Sequence, residues 1–278
     1  MVLKGKTILI PGASRPVGRE IARRFAHAGA NLVLPWFDWP ESVAEMEAEF
    51  ARPGPAVLST SCDLRDMDSV RELMGKVKAR FQNVDYLINN IERGGMPVVH
   101  GSYEHEHNRD QWELEMDTTL RAKWNLFRCA LPLLRKAGGA VVNISSIAAI
   151  CGRSGPAACF FSDGYSAANR AIQGLTETWA REGAPNIRVN ELMLGLISSR
   201  HGDNTRGWTA LSERERRDLL DHTLMNRLGD PLEVAKAVYF LAVEATFMTG
   251  ATIRMDGGYI LGGDAVPPLP PGILPVTS

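Results

Sequence analysis

The stretch Thr7 to Gly18, TILIPGASRPVG, constrains the fold of this chain more than any other. A short apolar run, Thr7-Ile8-Leu9-Ile10, leads into a turn bounded by Gly12 and Gly18. Arg19-Glu20-Ile21-Ala22-Arg23-Arg24-Phe25 follows, with apolar residues at helical spacing. The order is strand, tight turn, helix. A helix N-terminus offers backbone N–H donors and the positive end of its dipole, so a glycine turn that lets the chain approach it suits a pyrophosphate. The ligand implied is a dinucleotide. An ordinary strand-to-helix turn would look the same in isolation, so the remaining segments must decide.

Apolar runs and helical patterns alternate along the rest of the chain, as in repeated βα units on a parallel sheet. Further strands are predicted at Asn31–Trp36, Ala56–Ser61, Val84–Ile88, Ala140–Ser145, Ile187–Leu192 and Ala251–Met255. Helices are predicted at Glu41–Ala51, Asp66–Phe81, Asp110–Arg135, Gly164–Arg181 and Pro231–Val243, with a helical patch near Ser212–Leu220. Asp66 and Pro231 suit helix starts, and Gly138-Gly139 suits a helix end. The fold class expected is α/β, a Rossmann-like doubly wound parallel sheet of about seven strands with helices on both faces. No linker interrupts residues 1–263, which read as a single dinucleotide-binding domain. Residues 264–278, DAVPPLPPGILPVTS, form a Pro-rich tail unable to make a helix or interior strand.

The chain carries 31 Lys and Arg against 32 Asp and Glu, a net charge of −1, with the basic residues scattered. That balance gives no footprint for nucleic acid. There is no signal-like apolar segment near the start and no run of membrane-spanning length, so a cytoplasmic protein without a membrane partner is expected. Cys62, Cys129, Cys151 and Cys159 show no C-x-x-C spacing and read as free thiols. His100, His105 and His107 share one polar loop without a fourth ligand at zinc spacing and read as solvent-exposed; no metal is expected.

Ligands of open parallel sheets bind beyond the carboxyl ends of the strands. The segments there are Gly12 to Gly18, Trp36 to Asp38, Cys62-Asp63-Leu64, Asn89 to Glu92, Ser145-Ser146 and Leu194 to Ser199. Together PGASRPVG, CDLRD, INNIE, VVNISS, YSAAN, IRVNELMLG and RLGDPLEVAKAVYFLA…TGATIRMDGG resemble the short-chain dehydrogenase/reductase family, in order, from about Lys4 to Gly263. The resemblance implies an NAD(P)-dependent oxidoreductase that interconverts a small-molecule carbonyl and alcohol. It places Gly12, Ser14, Val17 and Gly18 at the pyrophosphate, Asp63 and Leu64 at the adenine, Asn89 beside the ribose, and Gly195 and Ile197 near the nicotinamide amide. Ser146 and Tyr165 match the family's catalytic serine and tyrosine. Carbonyl reduction needs a hydride on carbon and a proton on oxygen, and a phenol can supply the proton. The resemblance also implies a homo-oligomer, dimer or tetramer, joined through the helices at about 110–135 and 164–181. It makes residues 198–226, with Arg200, His201, Arg206 and Trp208, a substrate lid.

The chain departs from the family at several points. Asn169 stands at the lysine of Tyr-x-x-x-Lys, which removes a cation that favours phenolate. The adjacent Arg170 is rotated by about 100° on a helix and does not reach the same place. Thr119 stands at the central-helix asparagine, leaving a catalytic set of Ser146, Tyr165, Asn169 and Thr119. Pro11 and Pro16 enter the glycine turn, Ile91-Glu92 replaces Ala-Gly, and the chain between Ser146 and Tyr165 is longer than the family norm. Trp36 occupies the position where NAD-preferring relatives carry an acid, with Asp38 two residues on, while Arg15 sits where NADP-preferring relatives place a cation. NADP is favoured over NAD on that ground. Trp112 and Trp124 read as helix-packing residues. Two other readings are compatible with these departures: a non-redox enzyme similar to halohydrin dehalogenases, and a catalytically silent cofactor-binding subunit.

Overall fold

Seven strands form one parallel sheet in the order β3-β2-β1-β4-β5-β6-β7. They are β1 (Thr7–Leu9), β2 (Asn31–Trp36), β3 (Val57–Ser61), β4 (Tyr86–Asn89), β5 (Ala140–Ser146), β6 (Arg188–Leu194) and β7 (Thr252–Met255). The order reverses between β1 and β4, so the crevice beyond their carboxyl ends is the switch point of a doubly wound sheet. This computed structural model describes residues 2–51, 54–91, 110–199, 211–264, 266–269 and 272. Glu92, the three loop histidines, Arg200 to Trp208 and most of the tail lie outside the described residues.

Alternation along the strands feeds two apolar layers. Ile8, Leu32, Leu34, Ile88, Val142, Ile144 and Leu192 point to one face, under α1 (Pro16–His27), α2 (Pro40–Phe50) and α9 (Pro231–Tyr239). Leu9, Val33, Leu87, Val141 and Val189 point to the other, under α3 (Met67–Phe81), α5 (Ala122–Ala137) and α7 (Asp163–Gly183). The helix starts follow their caps: the Asp66 carboxylate accepts from the Asp68 and Ser69 N–H groups, and Asp230 and Glu233 form a capping box at α9.

Two predicted helices are subdivided. The stretch predicted as one helix at Asp110–Arg135 is α4 (Gln111–Glu115), a π turn at Met116–Arg121, and α5, which runs past Arg135 to Ala137. Likewise α9 gives way to a π turn at Phe240–Glu244. Apolar periodicity cannot reveal a one-residue widening of a helix, because it displaces the stripe without erasing it. Trp112 and Trp124 are 40% and 42% exposed, which corrects their reading as packing residues. The four cysteines are free thiols, as expected. No helix among the described residues is long and apolar enough to cross a membrane.

Candidate active site

At the switch point lies a cavity of about 610 Å³, lined from one end by Gly12, Ser14, Arg15, Val17 and Gly18 and towards the other by Ser146, Tyr165, Gly195 and Ile197. Each loop that follows a strand contributes, because the carboxyl ends of β1 to β6 converge there. Asp63 and Leu64 line it as well. The sequence-predicted residues thus meet in one place, with three exceptions. Asn89, Thr119 and Asn169 are wholly buried and do not line the cavity; Asn90, Thr118 and Tyr165 do.

The glycine turn is closed by contacts that only glycine permits. A Cβ on Gly18 would stand 2.2 Å from the Gly12 carbonyl oxygen, and one on Gly12 would stand 2.5 Å from that of Asn90. Gly12 has φ +69°, in the left-handed region. Pro16 is the first residue of α1, a position that needs neither a left-handed backbone nor an N–H, so this departure is absorbed. The helix cap, Arg15, makes no side-chain cap bond to the first turn. A backbone cradle bordered by glycines and opening on a helix start fits a dinucleotide pyrophosphate.

The wall of the cavity after β2 and β3 is only partly legible in the sequence. Trp36, Phe37, Asp38 and Trp39 line the cavity after β2. The Arg15 guanidinium lies 4.4 Å from the centroid of the Trp39 ring, and Arg15 donates to Ser42 Oγ at 3.2 Å. Burial pulls its pKa below the usual arginine value, with Asp38 opposing. Arg65 lies over Phe37 and clamps Asp63, holding that carboxyl below its ordinary range. Asn125, which the sequence reading missed, is buried on α5 and donates to the carbonyls of Leu64 and Arg65 at 3.0 Å each, pinning this wall from behind.

At the opposite end, Ser146 closes β5 and its Oγ accepts from the Ala148 N–H at 3.2 Å. Tyr165 is 3% exposed in the first turn of α7, where the Ser162 hydroxyl caps its N–H. That hydroxyl donates to buried Glu115 of α4 at 2.6 Å, which ties the two helices together. The long segment before Tyr165 holds α6 (Ala148–Cys151) and a 3-10 turn at Pro156–Cys159. It packs as a third apolar cluster with Phe160, Phe161, Tyr165, Met193 and Tyr259. The Tyr259 hydroxyl accepts from the Ala157 N–H at 2.7 Å, and burial pushes that phenol up to about 12.

The three residues that miss the cavity lie beneath it. Asn89 is wholly buried and donates to Asn143 Oδ1 at 3.0 Å. Asn169 folds back to donate to the Tyr165 carbonyl at 2.9 Å, and its Oδ1 is buried without a hydrogen-bond partner. Thr119 is buried inside the π turn, and Arg170 is on the exposed face of α7. Two charged residues that the sequence reading missed, Lys123 and Glu191, are also buried here. Lys123 Nζ donates to the carbonyls of Ile91 and, at 3.2 Å, Thr119. Glu191 accepts from the hydroxyls of Ser145 and, at 2.7 Å, Thr252. The available signal was a lysine and a glutamate inside otherwise apolar helix and strand patterns.

These features define an α/β nucleotide-binding protein whose site sits at a sheet switch point. Comparison with known proteins narrows the class. The family described as Enoyl-(Acyl carrier protein) reductase matches residues 12–260. A 3-oxoacyl-(acyl-carrier-protein) reductase of Thermotoga maritima is 29% identical over 94% of this chain and 100% of its own. The corresponding Staphylococcus aureus protein is 30% identical over 91% and 97%. A Brucella melitensis crystal structure, described as a short-chain dehydrogenase/reductase of glucose/ribitol dehydrogenase type, superposes with a TM-score of 0.77. It is 26% identical and covers 93% of this chain and 98% of its own. The chain belongs to the short-chain dehydrogenase/reductase family and is an NAD(P)-dependent oxidoreductase.

Proposed function

We propose that this protein reduces a small-molecule carbonyl with NADPH, Tyr165 giving the proton and Ser146 holding the substrate oxygen. The observation that carries the reading is that Ser146 and Tyr165 line the same cavity as the Gly12–Gly18 turn. The bound nicotinamide supplies a hydride to the carbonyl carbon. Ser146 Oγ, anchored at the end of β5, holds the carbonyl oxygen by a hydrogen bond. As charge develops on that oxygen, the Tyr165 O–H transfers its proton there and leaves a phenolate. Phe160, Phe161, Leu196 and Leu228 line the cavity and suit an apolar acyl or alkyl substituent. The names of the relatives make 3-oxoacyl thioesters the first substrates to try.

NADP is favoured over NAD because the half-buried Arg15 lines the cavity and is already held by Trp39 and Ser42, a pre-ordered cation for a phosphate. We further read the exposed Trp112 and Trp124, on the helices that the family resemblance assigns to self-association, as part of a homo-oligomeric face. Arg170 is exposed and does not line the cavity, which counts against a dehalogenase arrangement among the described residues.

Tryptophan fluorescence titration with NADPH and NADH, followed by a carbonyl screen, tests the reading. NADPH binding and turnover are expected, and Tyr165→Phe should lower turnover by about 10²–10⁴ while leaving NADPH binding intact. Failure to bind either nucleotide at millimolar concentration would overturn the reading. Binding without any turnover would instead identify a silent subunit.

A further inference from the structure

We propose that Tyr259 is a positioning residue for the substrate wall of the cavity: from the 3-10 turn after β7, its buried hydroxyl holds the segment that presents Phe160 and Phe161 beside Tyr165. The inference rests on the reading of this end of the cavity as the carbonyl site.

Tyr259 does not itself line the cavity. It is 1% exposed and starts a 3-10 turn at Tyr259–Leu261. The base of that turn is fixed by Asp256, whose carboxylate accepts from the Gly258 and Ile260 N–H groups at 3.0 Å each. The Tyr259 N–H donates to the Asp256 carbonyl at 3.1 Å. Asp256 in turn abuts Gly195, where a Cβ would stand 2.5 Å from the Asp256 Cα. The phenol ring is therefore carried on a firm mount, directly behind a residue that lines the cavity.

From this mount a chain of hydrogen bonds runs to the wall. The Tyr259 hydroxyl accepts from the Ala157 N–H at 2.7 Å, and the Ala157 carbonyl accepts from the Phe160 N–H at 2.9 Å. Phe160 and Phe161 line the cavity, and the Phe161 ring stacks with that of Tyr165 at a centroid separation of 6.1 Å. The short 3-10 turn at Pro156–Cys159 has no side-chain cap, and its first N–H groups find no partner inside the turn. A hydroxyl supplied from 102 positions away takes the place of the cap.

The residue at the cap position is shaped to let that hydroxyl in. Gly155 has φ +74°, in the left-handed region, and a Cβ there would stand 3.1 Å from the Tyr259 hydroxyl oxygen. On its other side the ring meets α8 (Glu213–His222): His222 packs edge-on against it with centroids 4.6 Å apart. Leu219 of α8 shares one buried cluster with Tyr259, Ala157, Phe160, Phe161 and Tyr165. Tyr259 thus bolts the turn after β7, the wall segment and α8 together. What it supplies is shape rather than charge: it fixes how closely Phe160 and Phe161 approach the substituent on the carbonyl carbon. A long apolar substituent buries most area against them and should feel the change most.

The test compares the wild type with Tyr259→Phe, which keeps the ring and removes the hydroxyl. Kinetics are measured at saturating NADPH with 3-oxobutanoyl and 3-oxooctanoyl thioesters of N-acetylcysteamine. The KM for the long thioester should rise about tenfold, as for loss of one buried hydrogen bond that orders a binding wall. Its kcat, the KM for the short thioester and NADPH affinity should stay within about twofold of wild type. Amide hydrogen exchange across Ala157–Phe161 should become faster. A lower melting temperature with an unchanged ratio of the two KM values would reveal a packing role only and overturn the proposal, as would unchanged exchange. If Tyr259→Phe does not fold, Gly155→Ala pushes the hydroxyl aside with the ring retained; a raised KM ratio there supports the proposal and an unchanged one overturns it. The two readings fail separately. A wild type that binds NADPH but reduces no carbonyl sinks the reductase reading, and exchange at Ala157–Phe161, which needs no substrate, then decides whether Tyr259 holds the wall.

Discussion

The two ends of the cavity are built in different ways. The glycine-turn end, proposed above as the nucleotide cradle, is local: one strand, one turn and one helix, contiguous from Thr7 to His27, build it. The floor beneath Tyr165 is assembled from β4, β5, β6, the π turn and two helices, and its hydrogen-bonded pairs are separated by 46 positions for Ser145 with Glu191 and 61 for Thr252 with Glu191. A local device constrains each of its residues by backbone sterics, so sequence departures there are readable. An assembled device constrains them by three-dimensional neighbours, which the local sequence does not display.

The contrast is broken most forcefully at the local end. In Gly18→Ala the new methyl would meet the Gly12 carbonyl oxygen at 2.2 Å and Asn90 Nδ2 at 2.7 Å, and the first of these is backbone that cannot swing aside. The turn must open. We expect a penalty of about 3 kcal/mol, expressed as about a hundredfold loss of NADPH affinity together with a lower melting temperature. Fluorescence titration and thermal unfolding check it. Wild-type affinity in the alanine variant would show that the turn is not the nucleotide cradle.

This difference also explains what could be read from the sequence. The doubly wound parallel sheet and most of the cavity lining followed from alternating apolar periods, the family resemblance and the segments after each strand, which the backbone brings together whatever the side chains do. Gly12, Gly18, Asp63, Ser146, Tyr165 and Gly195 lie where those segments predict. Asn169 and Thr119 stand out in the sequence as departures from the family pattern, but their burial under the cavity depends on how α7 and the π turn lie on the sheet. Lys123 escaped notice because it interrupts an apolar stripe by a single residue, and Glu191 because one acid in an apolar strand reads as noise. Pro16 departs from the glycine pattern without strain: the helix starts at that residue, so the proline meets no steric demand it cannot satisfy.

A smaller effect sharpens the reading of the nucleotide end. Arg15→Ala removes a guanidinium held over Trp39 and bonded to Ser42 while leaving the glycine turn intact. Loss of one charge-assisted contact to a phosphate should weaken NADPH binding by about tenfold, with NADH binding little altered. Parallel titrations with the two nucleotides measure the ratio. An equal loss for both would move the cation's role from phosphate selection to general support of the wall.

The smallest effect belongs to the floor. Glu191 is fully buried on β6, and burial holds its carboxyl above the ordinary range although Ser145, Thr252, Lys123 and Arg170 pull it down. An acid whose folded pKa exceeds its unfolded one binds its proton more tightly in the native state. Its contribution to stability is therefore greatest below the unfolded value. It declines as pH rises through that value towards the folded one, opposite to the behaviour of salt-bridged Glu49 and Asp63, whose carboxyls are held down. Glu191→Gln preserves the shape and an acceptor for the two hydroxyls but cannot ionise. Denaturant unfolding from pH 4 to pH 8 should show the wild type losing ground relative to the glutamine variant as pH rises, with the shift smaller than that caused by Gly18→Ala. A difference between the two proteins that stays constant across this range would mean that Glu191 does not titrate there. A difference that runs the other way would mean that the positive charge of Lys123 and Arg170 outweighs burial and holds the carboxyl down.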